Sequence, residues 1–271
     1  MWPLDRPGTP AIQIAEQTPN STIGSLAFDN VGKYLAAGIL EGEVRIWNLN
    51  EPGEPPRVPY RDQGRVYGLA FSPDEQVLVW GGADGYIRSW EAQKPDRPPT
   101  KLKYQEEQIR SVVFSPDGAL LAAGTAVGDI LIWNYRDPAA ESITLIGHSS
   151  AITSMRFVQD GQLLVSSSLD KTVRIWNVED PDEEPSLLEH DDWVWAASFS
   201  PDGTKIVSGS ADKNAYVWTT DAKLLAEQLR GKLNRNMSIQ EWDDFVGVDI
   251  PYERTYPSLP GGEGLQRGSL K

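Results

Sequence analysis

The stretch SSSLDKTVRIWN, residues 166–177, ends in a strand-like segment that closes on Trp176. A tryptophan recurs at the same place along the chain with spacings of 43, 43, 43 and 42 residues. A phenylalanine lies 19 residues before each of these tryptophans. The two series are Trp47, Trp90, Trp133, Trp176 and Trp218, and Phe28, Phe71, Phe114, Phe157 and Phe199. Two residue types that keep one period over five cycles indicate an internal repeat.

Each repeat has the pattern of three strands followed by a looser fourth. In the third repeat, Ile109 to Phe114 alternates as a strand does, and the turn SPDG follows at 115–118. An apolar strand from Leu120 and a third strand ending at Trp133 come next. A proline five residues after most of the repeat tryptophans favours an edge-type fourth strand. Four short strands with a period in the forties predict the blade of a β-propeller.

These motifs resemble the WD-repeat (WD40) family, since FSPDG recurs at 114–118 and 199–203 beside SSSLDKTVRIWN. The resemblance covers residues from about 2 to 218 and implies an all-β WD-repeat propeller. The expected repeats are about 20–62, 63–105, 106–148, 149–190 and 191–220. Residues 8–17 are expected to add an outer strand to the last blade, as is typical of the family. A closed five-bladed ring and part of a larger propeller both stay open.

The two histidines of the chain occupy equivalent places in consecutive repeats. Each lies 22 residues before an aspartate and 28 before the repeat tryptophan. The family resemblance implies a hydrogen-bonded tetrad within each blade, here His148, Ser166, Asp170 and Trp176, then His190, Ser208, Asp212 and Trp218. A catalytic base has no reason to recur one blade later, so we interpret the histidines as structural. Repeats one to three lack the histidine and are expected to be held by packing alone.

The composition restricts the classes of partner and cofactor. Thirty-nine acidic residues against 25 basic ones give a formal charge of −14, which disfavours nucleic acid and anionic membranes as partners. The chain has no cysteine, so thiolate chemistry is excluded. The acidic stretch 179–184 lacks the ligand spacing of a calcium loop. We therefore expect no metal and no cofactor. No apolar run approaches the roughly 20 residues needed to cross a bilayer, and residues 1–10 lack the apolar core of a signal peptide, so we expect a cytoplasmic location.

The sequence after the repeats changes character. Leucines at helical spacing over 222–234 and a capping box at Ser238–Glu241 predict a helical extension over 221–260, followed by a flexible tail over 261–271. Residues 235–260 resemble the segment that follows WD repeats in bacterial signalling proteins. Those proteins carry STAND-type nucleotide switches, caspase-like domains or kinases. No phosphate-binding glycine loop occurs in this chain.

The family resemblance also implies where a partner would bind. Positions six and four residues before the repeat phenylalanine reach the entrance of such propellers. We call the following set the entrance surface: Arg65, Tyr67, Gln108, Arg110, Thr153, Trp193 and Trp195. Arginine and aromatic residues are typical of interaction hot spots, and an arginine pair beside aromatics would suit an acidic or phosphorylated peptide. Packing of Trp193 or Trp195 between blades is the alternative.

The sequence is compatible with three functions. The first is a non-catalytic scaffold or sensor propeller that binds a protein or peptide, in bacterial signalling. The second is a structural, self-associating propeller fragment of a larger STAND-type or protease-like protein. The third, a propeller hydrolase, is disfavoured, because the entrance positions carry mainly Gly, Tyr, Arg, Thr and Trp rather than clustered carboxylates or histidines.

Overall fold

The structure is a computed structural model that describes residues 21–51, 53–61, 64–137, 141–158 and 161–220. The expected outer strand over 8–17, the helical extension over 221–260 and the tail over 261–271 lie outside the described residues. The chain divides into two compact units, Met1–Trp218 and Thr219–Lys271, and the second contributes only Thr219 and Thr220 to the described part. No helix in the described ranges is long and apolar enough to cross a membrane.

The described residues form five antiparallel sheets, which we call blades 1 to 5, and each sheet falls within one of the five expected repeats. Blade 1 contains β1 (Ile23–Phe28), β2 (Tyr34–Ile39), β3 (Glu43–Asn48) and β4 (Arg57–Arg61). Blade 2 contains β5 (Val66–Phe71), β6 (Val77–Gly82), β7 (Tyr86–Glu91) and β8 (Thr100–Tyr104). Blade 3 contains β9 (Ile109–Phe114), β10 (Leu120–Thr125), β11 (Ile130–Asn134) and β12 (Ile143–Leu145).

Blade 4 contains β13 (Ile152–Phe157), β14 (Leu163–Ser168), β15 (Thr172–Asn177) and β16 (Ser186–Glu189). Blade 5 contains three described strands, β17 (Val194–Phe199), β18 (Lys205–Ser210) and β19 (Ala215–Thr219). Neighbouring strands in each sheet follow chain order, so every connection within a blade is a simple turn or loop. This all-β arrangement of consecutive four-stranded sheets fits a β-propeller.

The SPDG turns explain how the first hairpin of a blade forms. Ser115 donates its hydroxyl hydrogen to Asp117 over 2.6 Å, and the same carboxylate oxygen accepts from the backbone N–H of Ala119 over 3.0 Å. Gly118 then adopts φ 69°, a left-handed conformation that glycine takes without steric cost. Blade 5 repeats these contacts with Ser200 and Asp202. The turn is therefore fixed by its own side chains before any blade packs on another.

Each blade packs one face against the next blade along the chain. Ala36, Val44 and Ile46 of blade 1 share a buried cluster with Val66 and Leu69 of blade 2. Equivalent clusters join blades 2 and 3, blades 3 and 4, and blades 4 and 5. The face that meets the following blade is called the forward face, and the opposite one the backward face. The apolar core is thus divided into layers between blades rather than gathered in one centre.

The two end blades leave part of this pattern uncovered. Leu26, on the backward face of blade 1, is 58% exposed, whereas its equivalents Leu69, Val112, Met155 and Ala197 in the other blades are all at most 7% exposed. Ile23 and Phe28 are exposed in the same way. On the forward face of blade 5, Val217 is 67% exposed and Val207 is also exposed. Among the described residues, no blade covers these side chains.

Candidate protein-interaction surface

The histidine of blade 4 sits in a complete hydrogen-bond network. His148 Nδ1 lies 2.7 Å from Asp170 Oδ2, and His148 Nε2 lies 2.8 Å from Ser166 Oγ. Trp176 donates its indole N–H to the same Ser166 oxygen over 2.8 Å. A neutral imidazole with its proton on Nδ1 satisfies every member, since Ser166 then donates to Nε2 and accepts from Trp176. All four residues of the expected tetrad are thus linked.

Asp170 anchors this network through several donors. Burial opposes ionisation of the carboxyl, but hydrogen bonds from His148 and Thr172 outweigh it and hold the pKa of Asp170 well below its ordinary value. The hydroxyl of Thr172 donates to Asp170 Oδ1 over 2.7 Å, and the backbone N–H of Ser149 donates to Oδ2 over 3.0 Å. The carboxylate therefore stays charged at neutral pH and fixes the orientation of the imidazole.

The network of blade 5 is incomplete. His190 Nε2 lies 2.8 Å from Ser208 Oγ, and Trp218 donates to that oxygen over 2.8 Å. The expected link from His190 to Asp212 does not form, and the buried Nδ1 of His190 has no hydrogen-bond partner among the described residues. Asp212 instead accepts from the phenol of Tyr216 over 3.1 Å, and the Tyr216 ring lies edge-on to the imidazole. Asp212 is thus hydrogen-bonded to Tyr216 instead of to His190.

Blades 1 and 2, which have no histidine, are not held by packing alone, which corrects that expectation for these two blades. In blade 2, Asp84 occupies the aspartate position and pairs with both terminal nitrogens of Arg88. The buried guanidinium of Arg88 also lies over the ring of Tyr60, 4.7 Å from its centroid. In blade 1, Glu43 forms ion pairs with Arg45 and Arg61. Charged pairs are thus present in blades 1 and 2 in place of the tetrad, and in blade 2 the bulky Trp80 stands at the position of the tetrad serine.

The serine, histidine and aspartate of blade 4 resemble a catalytic triad only in composition. The side chain of His148 is fully buried, and Ser166 has no exposed surface. The Ser166 oxygen also accepts a hydrogen bond from Trp176, which engages one of its two lone pairs. A substrate cannot reach these atoms, so the arrangement stabilises the blade rather than activating a nucleophile. No group of three or more potential ligands is placed to hold a metal ion within the described ranges.

The entrance surface brings some of its predicted residues together. The guanidinium of Arg110 lies over the ring of Tyr67 at 4.2 Å from the centroid, which joins blades 3 and 2. Thr153 donates its hydroxyl to the backbone oxygen of Val194 over 2.7 Å and so links blades 4 and 5. Tyr67, Arg110, Thr153 and Trp195 are each the second residue of the first strand in their blade. From blade 2 to blade 5 these residues therefore form a row. Arg65 and Gln108, from the other position, are exposed beside it.

Trp193 and Trp195 form an exposed aromatic pair at the blade 5 end of this row. Their ring centroids are 5.9 Å apart and the rings are nearly perpendicular, at 86°. The two side chains are 48% and 53% exposed, so neither is packed between blades in the described structure. Two half-exposed indoles in contact are unusual for a soluble surface and are typical of interaction sites.

The sequence did not indicate a cavity of about 530 Å³ between blades 1 and 2. Its lining includes Phe71, Trp90 and Ala92 of blade 2, together with the loop that follows β3. The signal for it was a break in the repeat pattern. The second residue after the repeat tryptophan is Leu49, Tyr135 or Val178 in three other blades, but Ala92 in blade 2.

Comparison with known families accounts for the repeats. The family model described as WD domain, G-beta repeat (WD40) matches residues 54–91, 97–134, 140–177 and 183–219, which together make up more than half of the chain. Each match joins the outer strand of one blade to the three inner strands of the next. No curated protein matches the chain at a significant level. The matches stop at residue 219, so the resemblance of 235–260 to bacterial signalling proteins stays a prediction. With four matched repeats laid over five consecutive antiparallel blades, this chain belongs to the WD40 repeat family.

Proposed function

We propose that this chain is a non-catalytic scaffold or sensor propeller that binds a protein or peptide through the entrance surface. WD40 repeats generally mediate protein–protein interaction and are typically non-catalytic, which supports the general class. The observation that carries the assignment to this surface is the exposed pair Trp193 and Trp195. Burial of apolar surface contributes a favourable free energy of roughly 25 cal/mol per Å². A partner that covers the two half-exposed indoles gains this free energy without a conformational change.

The charges of the entrance surface support a partner with acidic character. Arg110 is held in place by stacking on Tyr67, and its guanidinium keeps donors for a carboxylate or a phosphate. Arg65 is exposed at the neighbouring position. Because the whole chain has a formal charge of −14, a local pair of arginines is a selective place for an anionic group. An acidic or phosphorylated peptide with an apolar residue for the tryptophans fits this pattern.

The cellular setting is proposed from the sequence. The resemblance of residues 235–260 to segments in bacterial signalling proteins supports the proposal that the propeller works beside a STAND-type, caspase-like or kinase effector. A cytoplasmic location is part of the same proposal. In this setting the propeller would sense a ligand protein and present it to the effector.

The test uses peptides selected on the whole chain from a displayed random library, with phosphorylated copies of the enriched sequences made afterwards. Fluorescence polarisation then gives the dissociation constants for wild type, Arg110→Ala and the double variant Trp193→Ala, Trp195→Ala. We expect at least tenfold weaker binding for each variant, which corresponds to about 1.4 kcal/mol. Val31→Ala, at an exposed turn of blade 1, is the matched control and should bind as wild type does. Equal binding by all four proteins would remove the entrance assignment.

Self-association is a second candidate, and the exposed faces of the end blades favour it. Leu26 on blade 1 and Val217 on blade 5 occupy positions that are covered at the internal blade interfaces. The forward face of blade 5 in one copy has the chemistry to pack on the backward face of blade 1 in another. Sedimentation velocity should then show species larger than a monomer that dissociate in Leu26→Glu and in Val217→Glu but not in Val31→Glu. A monomer at all concentrations would exclude it.

A further inference from the structure

The cavity between blades 1 and 2 has an aromatic and partly polar lining. Phe71 and Trp90 come from blade 2, Tyr34 and Ile46 from blade 1, and Asn48 and Glu51 lie where β3 ends and its loop begins. Its volume of about 530 Å³ falls within the range of small-ligand sites. The side-chain amide of Asn48 donates to Glu51 over 2.9 Å, which holds one edge of the cavity in a defined arrangement.

The next blade interface shows what belongs in this place. There Tyr135 follows the repeat tryptophan of blade 3 by two residues and packs edge-on against Phe114, with ring centroids 5.0 Å apart at 86°. Tyr135 and Val77 both pack against the buried cluster between blades 2 and 3. Burial raises the pKa of its phenol, and the carboxylates of Asp74 and Glu91 raise it further. The ring is partly buried between blades 2 and 3.

The residues around Tyr135 have direct counterparts around the cavity. Phe114 corresponds to Phe71, Val77 to Tyr34 and Glu91 to Asn48, and all three counterparts line the cavity. The residue that corresponds to Tyr135 itself is Ala92, whose methyl group cannot fill the space. The cavity thus corresponds to the space that the ring of Tyr135 fills between blades 2 and 3. Between blades 1 and 2 the chain has no aromatic ring at this position.

We propose that the cavity between blades 1 and 2 binds an aromatic side chain of a partner protein, tyrosine above all. Phe71 receives the ring edge-on as Phe114 receives Tyr135, and Trp90 contributes a second aromatic surface. The carboxylate of Glu51 accepts the phenol hydrogen at the polar edge. This site is separate from the entrance surface, and its occupation does not depend on the entrance surface binding anything.

The experiment titrates the whole chain with p-cresol and with N-acetyl-tyrosinamide, followed by calorimetry and NMR. Wild type should bind both, with dissociation constants of about 1 mM for so few atoms. Ala92→Tyr restores the missing ring and should weaken binding of both probes at least tenfold. Ala92→Leu, which copies Leu49 of blade 1, is the second filling variant and should act in the same direction. Thermal melting confirms that each variant is folded.

Tyr135→Ala gives the reciprocal test, because it opens the equivalent space at the next interface. This variant should bind two equivalents of p-cresol where wild type binds one. Wild type that binds neither probe, or filling variants that bind as wild type does, would overturn the proposal. Binding of p-cresol with exclusion of N-acetyl-tyrosinamide would also overturn it, because the cavity would then take a free phenol and not a protein side chain.

Discussion

Blades 4 and 5 carry the same four tetrad residues at the same offsets, yet only blade 4 completes the network. In blade 4 the hydroxyl of Thr172 holds Asp170 in position for His148. In blade 5 Asn214 stands where Thr172 does, and Tyr216 takes the oxygen of Asp212. Trp218 is also only partly buried, where Trp176 is buried. A tetrad therefore depends on the residues beside it.

The largest expected difference between the two blades comes from removing the histidines. His148→Ala removes the hydrogen bonds of the imidazole to Asp170 and Ser166 and leaves both side chains buried without them, so we expect a loss of about 3 kcal/mol in the free energy of unfolding. His190→Ala removes one such bond and an unpaired Nδ1, and we expect a loss of about 1 kcal/mol. Urea unfolding at pH 7 measures both. Equal losses would mean that Asp170 adds nothing to its network.

Acid is expected to destabilise blade 4 more than blade 5. The expected change in the free energy of unfolding is smaller than that from removing the histidines. The folded-state pKa of Asp170 is depressed, so its contribution to stability is present above the ordinary carboxyl pKa and is lost as the pH falls through the folded value. Wild type should lose stability steadily below about pH 4. Asp170→Asn should be less stable at pH 7 and should lose less on going to pH 3. Asp212→Asn is the control, and we expect it to follow the wild-type curve more closely.

The smallest expected effect comes from Tyr216→Phe, which sharpens the comparison most. The substitution removes the phenol hydrogen that Asp212 accepts and keeps the ring that packs on His190. Asp212 is then available to His190 Nδ1, so the lost and gained hydrogen bonds should nearly cancel, within about 0.5 kcal/mol. The NMR signal of the His190 Nδ1 proton should become protected from exchange with water. If the His190 Nδ1 proton stays unprotected, the position of the backbone, and not Tyr216, keeps His190 and Asp212 apart.

The sequence predicted the strands and the blade order because the evidence for them is periodic. Trp176 and Phe157 mark fixed points of a pattern that any blade must repeat, and SPDG encodes its own turn. The hydrogen-bond and ion-pair partners of individual polar groups were harder to predict from the sequence. Arg88 replaces the histidine of blade 2 from a different strand position, and nothing in the spacing of Asp84 indicates that pairing. The cavity at Ala92 was also missed, because a space is defined by two blades together.

The division of the core into layers between blades has a consequence for local stability. A blade in the middle of the series loses two apolar interfaces when it opens, whereas blade 5 loses only the one it shares with blade 4 in the described structure. Amide protection should therefore decline from blade 3 toward blade 5. Trp193 and Trp195 belong to this end blade. A partner that covers them would stabilise a blade that has one neighbour, so binding of the partner and ordering of that blade would occur together.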